Sequence, residues 1–415
     1  MAQDHIGTYP LEFIRALPKS DLHVHLDGSL RIPTLIRLAR KHKLKLPSYT
    51  EEGLRQKVFK SHYKSLEEYL VGFCYTTAVM QTPEALEQTA YEFAQDNIDE
   101  GVVYVEVRFA PQLHVNEKQD MARVLQSVNA GLSRAKLEQN TLPDVAAGRK
   151  PPFEYGIICC ALRQFGQHYS PYYSSLYGVH PYTPPKEIYP IASLELAKAA
   201  VEIRDRHAIP IVGFDLAGEE AGYPAEDHWE AFDYVHRHFI KKTVHAGEAF
   251  GPESIFQAIT DLKADRIGHG YYLFQVGSIT DKSIRDKHQY VRALAEYIAD
   301  RRITIEVCLT SNMQTNPRIR DLSSHAFKLM HKSNLSTTFC TDNRLVSNTN
   351  VTKELHLAAN TFGLRKRELK DIIIYGFKRS FFPGSYQDKR QYVRNVIDYY
   401  EGIERKHFGQ IEPKL

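Results

Sequence analysis

Cysteine is scarce and unpatterned in this chain: Cys74, Cys159, Cys160, Cys308 and Cys340 are an odd set of five with no CxxC spacing. That counts against a disulfide framework or a zinc knuckle, and because four of the five sit in apolar strand-like runs, buried reduced thiols are expected. Charge of one sign is equally lacking. The 53 basic and 50 acidic side chains leave a formal net charge of +3, too little for the electrostatic footprint of a nucleic-acid binder. No apolar run approaches membrane-spanning length, and the N-terminal stretch has neither the basic start nor the apolar core of a secretory leader, so a cytoplasmic protein with no membrane partner is expected. There is no internal repeat or low-complexity tract, and no GxGxxG loop follows a strand signal, which removes the usual dinucleotide cradle. The remaining composition, 43% hydrophobic and 25% charged over 415 residues, fits either two average domains or one large α/β barrel.

Short β-branched runs choose between these. Eight occur, at 20–25, 102–109, 154–162, 209–215, 242–246, 265–269, 303–309 and 336–342. Between them lie segments of helical composition such as 83–100, 191–207, 226–240 and 286–301. Strands alternating with helices imply a parallel sheet, and eight of them a single (β/α)8 TIM barrel spanning 1–415, with an open doubly wound sheet as competitor. Two regions exceed the minimal barrel. After strand three, 164–190 carries six tyrosines and five prolines, reads as an irregular inserted loop, and suits a lid, an oligomer contact or a plain Ω-loop. The stretch 364–407 reads as extra C-terminal helices.

A barrel assembles its active site at strand C-termini. The run ending in His23-Val24-His25 aims two imidazoles to one face. Asp215 and Gly218 follow strand four, His245 and Glu248 strand five, His269 strand six, and Asp342 strand eight, which a closed barrel returns beside strand one. Imidazoles and a carboxylate suit zinc with an open position for water. The lysine that bridges two metals in related barrels is missing after strand four, where Asp-Leu-Ala-Gly stands, so one metal per chain is expected.

Seven motifs carry a family resemblance: KSDLHVHLDGS at 19–29, VYVEVRF at 103–109, GFDLAGEE at 213–220, TVHAGE at 243–248, RIGHG at 266–270, EVCLTSN at 306–312 and TDN at 341–343. In this order they resemble the adenosine deaminase family of metal-dependent purine deaminases. The resemblance implies that His23, His25, His245 and Asp342 bind zinc, that Glu248 protonates purine N1, and that His269 holds the attacking water for purine C6. It further implies that Gly218 meets N3 through its N–H, that Asp27 accepts a ribose hydroxyl, and that His25 also borders the purine nucleoside. Asn343 stands where most members have a second aspartate; its amide can donate to N7 without being protonated. Arg344 replaces the usual proline, and either meets an anionic group of a larger substrate or stands exposed.

Adenosine or 2′-deoxyadenosine is thus the leading substrate expectation. Alternatives are another 6-aminopurine compound (aminofutalosine, an N6-substituted AMP, adenine), for which Arg344, Arg163 or the tyrosine-rich segment would supply contacts, and a catalytically silent barrel acting as a binding protein. Nucleic-acid deamination is disfavoured, since those zinc enzymes use a His/Cys/Cys site with PCxxC signatures absent here.

Overall fold

The computed structural model describes residues 8–64, 66–316, 319 and 321–409. The first seven residues, most of the stretch read for a leader, lie outside them. Eight parallel strands follow one another around a barrel: β1 (Lys19–His25), β2 (Val102–Phe109), β3 (Glu154–Leu162), β4 (Ile211–Ala217), β5 (Lys241–Ala246), β6 (Arg266–His269), β7 (Thr304–Val307) and β8 (Thr337–Phe339). Closure is made past the end of β8, where Val24 bridges Asp342 in parallel. His25 N–H donates to the Asp342 carbonyl at 2.7 Å, and Asp342 N–H to the His23 carbonyl at 2.8 Å.

Period-two patterning explains the layers. In β2, Val105 and Val107 face the surrounding helices, whereas Tyr104, Glu106 and Arg108 alternate with them and fill the barrel interior. In β1, Leu22 and Val24 alternate with Asp21, His23 and His25 in the same way. The apolar faces join one continuous core between strands and helices.

The last two strands are shorter than their β-branched runs suggest. Cys308 already serves as N-cap of the helix Leu309–Thr315, and Asp342 leaves β geometry with φ +60°. The tyrosine-rich segment also differs from expectation: it is helical, so neither an irregular inserted loop nor an Ω-loop. Pro171 and Pro185 open the helices Pro171–Val179 and Pro185–His207, where a missing N–H costs nothing. Ser170 caps the first by accepting from Tyr173 N–H. Phe165 stacks on Tyr173 at 4.0 Å and, with Ile188, Tyr189 and Ala192, forms a small separate core. The extra C-terminal helices are present as Lys366–Arg379 and Tyr386–Phe408. Four cysteines are buried free thiols as expected, and Cys74 is an exposed one. No helix among the described residues is long and apolar enough to cross a membrane.

Lys19, fully buried at the base of β1, ties the helix Leu11–Ala16 under the barrel. Its Nζ donates to the carbonyls of Ile14, Arg15 and Leu17 at 3.0, 2.8 and 2.7 Å, groups at a helix end that have no intrahelical partner. Lys19→Met should therefore lower stability by about 1–3 kcal/mol. Urea unfolding should show a lower midpoint at unchanged slope, while turnover per folded molecule stays at the wild-type level.

Candidate active site

At the C-terminal rim, three imidazoles and one carboxylate converge. One ligand atom from each of His23, His245, His269 and Asp342 lies within 4.8 Å of the others. His25 joins them: its Nε2 is 3.1 Å from His245 Nε2 and 3.5 Å from Asp342 Oδ1. His23 Nε2 lies 3.6 Å from that same carboxylate oxygen. Two local backbone features permit this crowding. Asp342 and His269 both occupy the left-handed region, at φ +60° and +64°, a strain that persists only where surroundings enforce it. Between β5 and His23, residue 268 must be glycine, because a Cβ there would sit 2.8 Å from His23 Cε1.

Carboxylates behind the rings set their direction. Glu306 Oε2 lies 2.7 Å from His23 Nδ1, and Asp215 Oδ2 3.0 Å from His245 Nδ1. An ionised carboxylate only accepts, so each Nδ1 carries the proton and each Nε2 turns a lone pair to the rim. Arg108 spans both carboxylates, at 2.8 Å to Asp215 and 3.0 Å to Glu306. Arg266 bridges Glu306 at 2.6 Å and, beyond it, Glu106. Ser311 donates to Asp342 Oδ2 at 2.6 Å.

The donor set fits a divalent metal. Among the described residues His23 Nε2 is buried with no hydrogen-bond partner, an orphan that a cation would satisfy. Burial holds His25 well below the usual imidazole range and lowers His245, leaving neutral rings that can coordinate. For Asp342 burial acts upward, but the imidazoles of His23, His269 and His25 around it outweigh it and hold the carboxyl well below its usual range. Two guanidiniums, Arg108 and Arg266, pair with three carboxylates, Glu106, Asp215 and Glu306, and Asp342 among the imidazoles adds a further negative charge that a cation at the rim would balance.

Glu248 sits above this cluster, its Oε2 3.7 Å from His269 Nε2. Burial, then the nearby carboxylates Asp342 and Glu220, push its carboxyl up to about 8, so it holds a proton at neutral pH. Glu220 also builds the turn that carries it. One carboxylate accepts the N–H groups of Gly247, Glu248, Ala249 and Phe250 at 2.7, 3.1, 2.8 and 2.9 Å, as well as the Ser254 hydroxyl.

Other residues singled out in the sequence take varied positions. Asp27 is buried 4.0 Å from His25 Nδ1, and burial raises its carboxyl to about 7. Gly218 follows β4 with φ +102°, a conformation suited to glycine. Asn343 is buried, and its amide donates to Tyr69 Oη at 2.8 Å. Arg344 is neither exposed nor free for an anion, because Glu100 and Asn97 take its Nη1. Arg163 is likewise committed, donating to the carbonyls of Tyr223 and His245 at 2.7 and 2.8 Å.

The sequence pattern of the family described as adenosine deaminase matches residues 18–146 and 188–399. The chain belongs to the adenosine deaminase family. As a member it is a hydrolase of the type that acts on a cyclic amidine C–N bond. An adenosine deaminase of Mycobacterium avium (strain 104) is 37% identical over 381 residues, 91% of this chain and 94% of that one. Among solved structures, an Arabidopsis N6-mAMP deaminase is 25% identical with TM-score 0.69, covering 93% of this chain and 99% of its own. An adenine deaminase from Arthrobacter aurescens shares the fold at 18% identity, TM-score 0.68, with 92% and 99% covered. The family match omits 147–187, where β3 and most of the tyrosine-rich segment lie.

Sequence reasoning missed the supports of this deaminase site. Glu306 and Arg108 were visible as charges inside apolar strand runs, an anomaly that burial makes costly unless paired, whereas nothing local marks Glu220 as a loop anchor. Its role is testable. Glu220→Ala should speed hydrogen exchange at the amides of 247–250, read by mass spectrometry, and cut kcat by roughly 10²-fold, as expected for a misplaced reacting group. Unchanged exchange would mean that the turn holds itself.

Proposed function

We propose that the protein deaminates adenosine and 2′-deoxyadenosine hydrolytically to inosine, 2′-deoxyinosine and ammonia, a purine-salvage reaction, using one zinc ion per chain held by His23, His25, His245 and Asp342. The observation that carries this reading is a protonated carboxyl, Glu248, beside a buried cluster of three imidazoles and an ionised aspartate. When bound, zinc acts as a Lewis acid that makes water nucleophilic near neutral pH.

The chain's residues supply the rest. Addition of water at purine C6 is difficult unless a ring nitrogen takes up a proton as the oxygen arrives, and Glu248 holds that proton for N1. His269 orients the attacking oxygen. The C6–N bond then breaks as the amino group leaves as ammonia with one proton of the attacking water, the other water proton restores the Glu248 carboxyl, and the C6–O bond remains as the product carbonyl. Gly218 is assigned to N3 through its N–H, and Asp27 to a ribose hydroxyl. His25 lines the ribose side of the pocket. Asn343 is assigned to N7 through its second amide hydrogen, the first being taken by Tyr69. The relatives named adenosine deaminase support a nucleoside substrate. The commitment of Arg344 favours it over a nucleotide, because that cation is already paired with Glu100.

Ammonia release from adenosine, deoxyadenosine, adenine, AMP, N6-methyl-AMP and aminofutalosine tests the substrate. AMP should trail adenosine in kcat/KM by roughly 10²-fold, since its phosphate gains no free charged partner among these residues; the reverse order would overturn the nucleoside reading. Metal analysis should find about one equivalent per chain and His245→Ala should lose most of it. A stoichiometry near two, with activity following the second ion, would defeat the single-metal assignment.

Glu248→Gln should keep its metal while kcat drops by about 10²–10⁴-fold. A carboxyl that must be protonated makes wild-type kcat fall as pH rises through its pKa, and this alkaline limb should vanish in the variant. Near-normal turnover would remove Glu248 from the mechanism.

A further inference from the structure

His269 differs from its neighbours in what stands behind its ring. His23 and His245 are backed by carboxylates, whereas His269 Nδ1 lies 3.1 Å from the side-chain amide nitrogen of Asn312. That amide is in turn 3.2 Å, through Oδ1, from His325 Nε2. Finally, the backbone N–H of Phe327 donates to His325 Nδ1 at 3.0 Å. We infer that Asn312 and His325 are positioning residues which fix the proton of His269 on Nε2, so that it presents an N–H to the site while His23 and His245 present lone pairs.

One group in this relay has no choice of role. A backbone N–H only donates, so His325 Nδ1 must carry a lone pair. Burial lowers His325 to about 3, so its ring is neutral and its single proton sits on Nε2. That N–H donates to Asn312 Oδ1, which sets the orientation of the amide. The amide nitrogen has hydrogens and no acceptor site, so His269 Nδ1 must accept. A ring nitrogen that accepts bears no hydrogen, so the one proton of the His269 imidazole is left on Nε2. His325, Asn312 and His269 are all 1% exposed or less, which keeps water from offering an alternative partner. The ring of Tyr271 packs edge-on against His325 at 5.0 Å and holds it in place.

The consequence separates neighbours that distance alone does not. His269 lies within the same 4.8 Å cluster as His23, His245 and Asp342, yet a nitrogen bearing hydrogen cannot coordinate a metal. It can donate to an oxygen. His269 Nε2 has no hydrogen-bond partner among the described residues, so its N–H is available to hold an attacking oxygen; this catalytic consequence rests on the function proposed above, whereas the tautomer does not.

The experiment is nitrogen-15 histidine NMR on the whole protein, zinc-loaded and after chelation, with the His269 signals assigned by their loss in His269→Asn. The wild type should show a protonated Nε2 and a bare Nδ1 at His269 in both states; a protonated Nδ1 would overturn the inference directly, with no variant needed. Asn312→Asp places an acceptor where the donor was, so the proton should move to Nδ1. It should keep its zinc, lower kcat by about 10- to 100-fold and change KM less than kcat. His325→Gln, which can still donate an N–H to Asn312, should keep the wild-type tautomer and most of the turnover. An Asn312→Asp protein with the wild-type tautomer would also overturn the inference. Failure to deaminate any 6-aminopurine, with the expected tautomer present, would sink the proposed reaction and leave the positioning role intact.

Discussion

A chain of buried ions, Glu106 to Arg266 to Glu306 to Arg108 to Asp215, runs through the barrel interior, and both carboxylate-backed histidines hang from it. Burying so many charges is costly, and removing one partner of a buried pair is strongly destabilising because the other is left uncompensated. The arrangement makes each member indispensable to the next. Glu306 alone meets Arg266, Arg108, Thr243 and His23. A side chain held by that many partners cannot rotate away, and the imidazole it grips inherits its rigidity. Rigid placement of the ring nitrogens is what a metal with fixed geometry requires.

The backbone meets the same demand differently. Closing a barrel at its last strand requires residue 342 to pair with β1 through its backbone while its side chain joins the ligand cluster, and the left-handed conformation of Asp342 does both. His269 is strained likewise, directly after a glycine that cannot be replaced without striking His23. Both distortions lie where β geometry ends and the site begins, and the deformation is balanced by barrel pairing on one side and by hydrogen bonds on the other.

Much of this was legible in the residues, because the relevant signals are local. Eight β-branched runs, in order, five of which place a polar or metal-binding residue at or beside their end (His25, Asp215, His245, His269 and Asp342), are sufficient for a barrel with its site on one rim. What stayed hidden depends on distant partners or on context. Arg108 and Glu306 are 198 residues apart, so their charges were visible and their pairing was not. Arg344 stands beside Asp342 in the chain, and only the fold brings Glu100 to it. Prolines misled in 164–190, since a proline at a helix start and one in a loop look alike until the cap is seen. Cys308 and Asp342 extended the apparent strands because residue type says nothing of φ.

Two carboxyl groups in one cavity end in opposite states, and their partners explain why. Asp342 is surrounded by His23, His25 and His269, so imidazole contacts outweigh burial and it stays ionised. Glu248 has the carboxylates of Asp342 and Glu220 around it and, among the described residues, no cation within a hydrogen bond, so burial and these charges outweigh His23 and Arg163 and keep it protonated. Pairs of titratable groups whose surroundings drive them apart divide acid from base. Glu220 takes part twice in that division. Its negative charge holds the Glu248 proton on, and its accepted N–H bonds hold the turn that aims that proton. A neutral anchor could have ordered the same turn, but it would have surrendered the electrostatic half of the effect, which is a physical reason for an acidic side chain at a position that never reaches the reacting atoms.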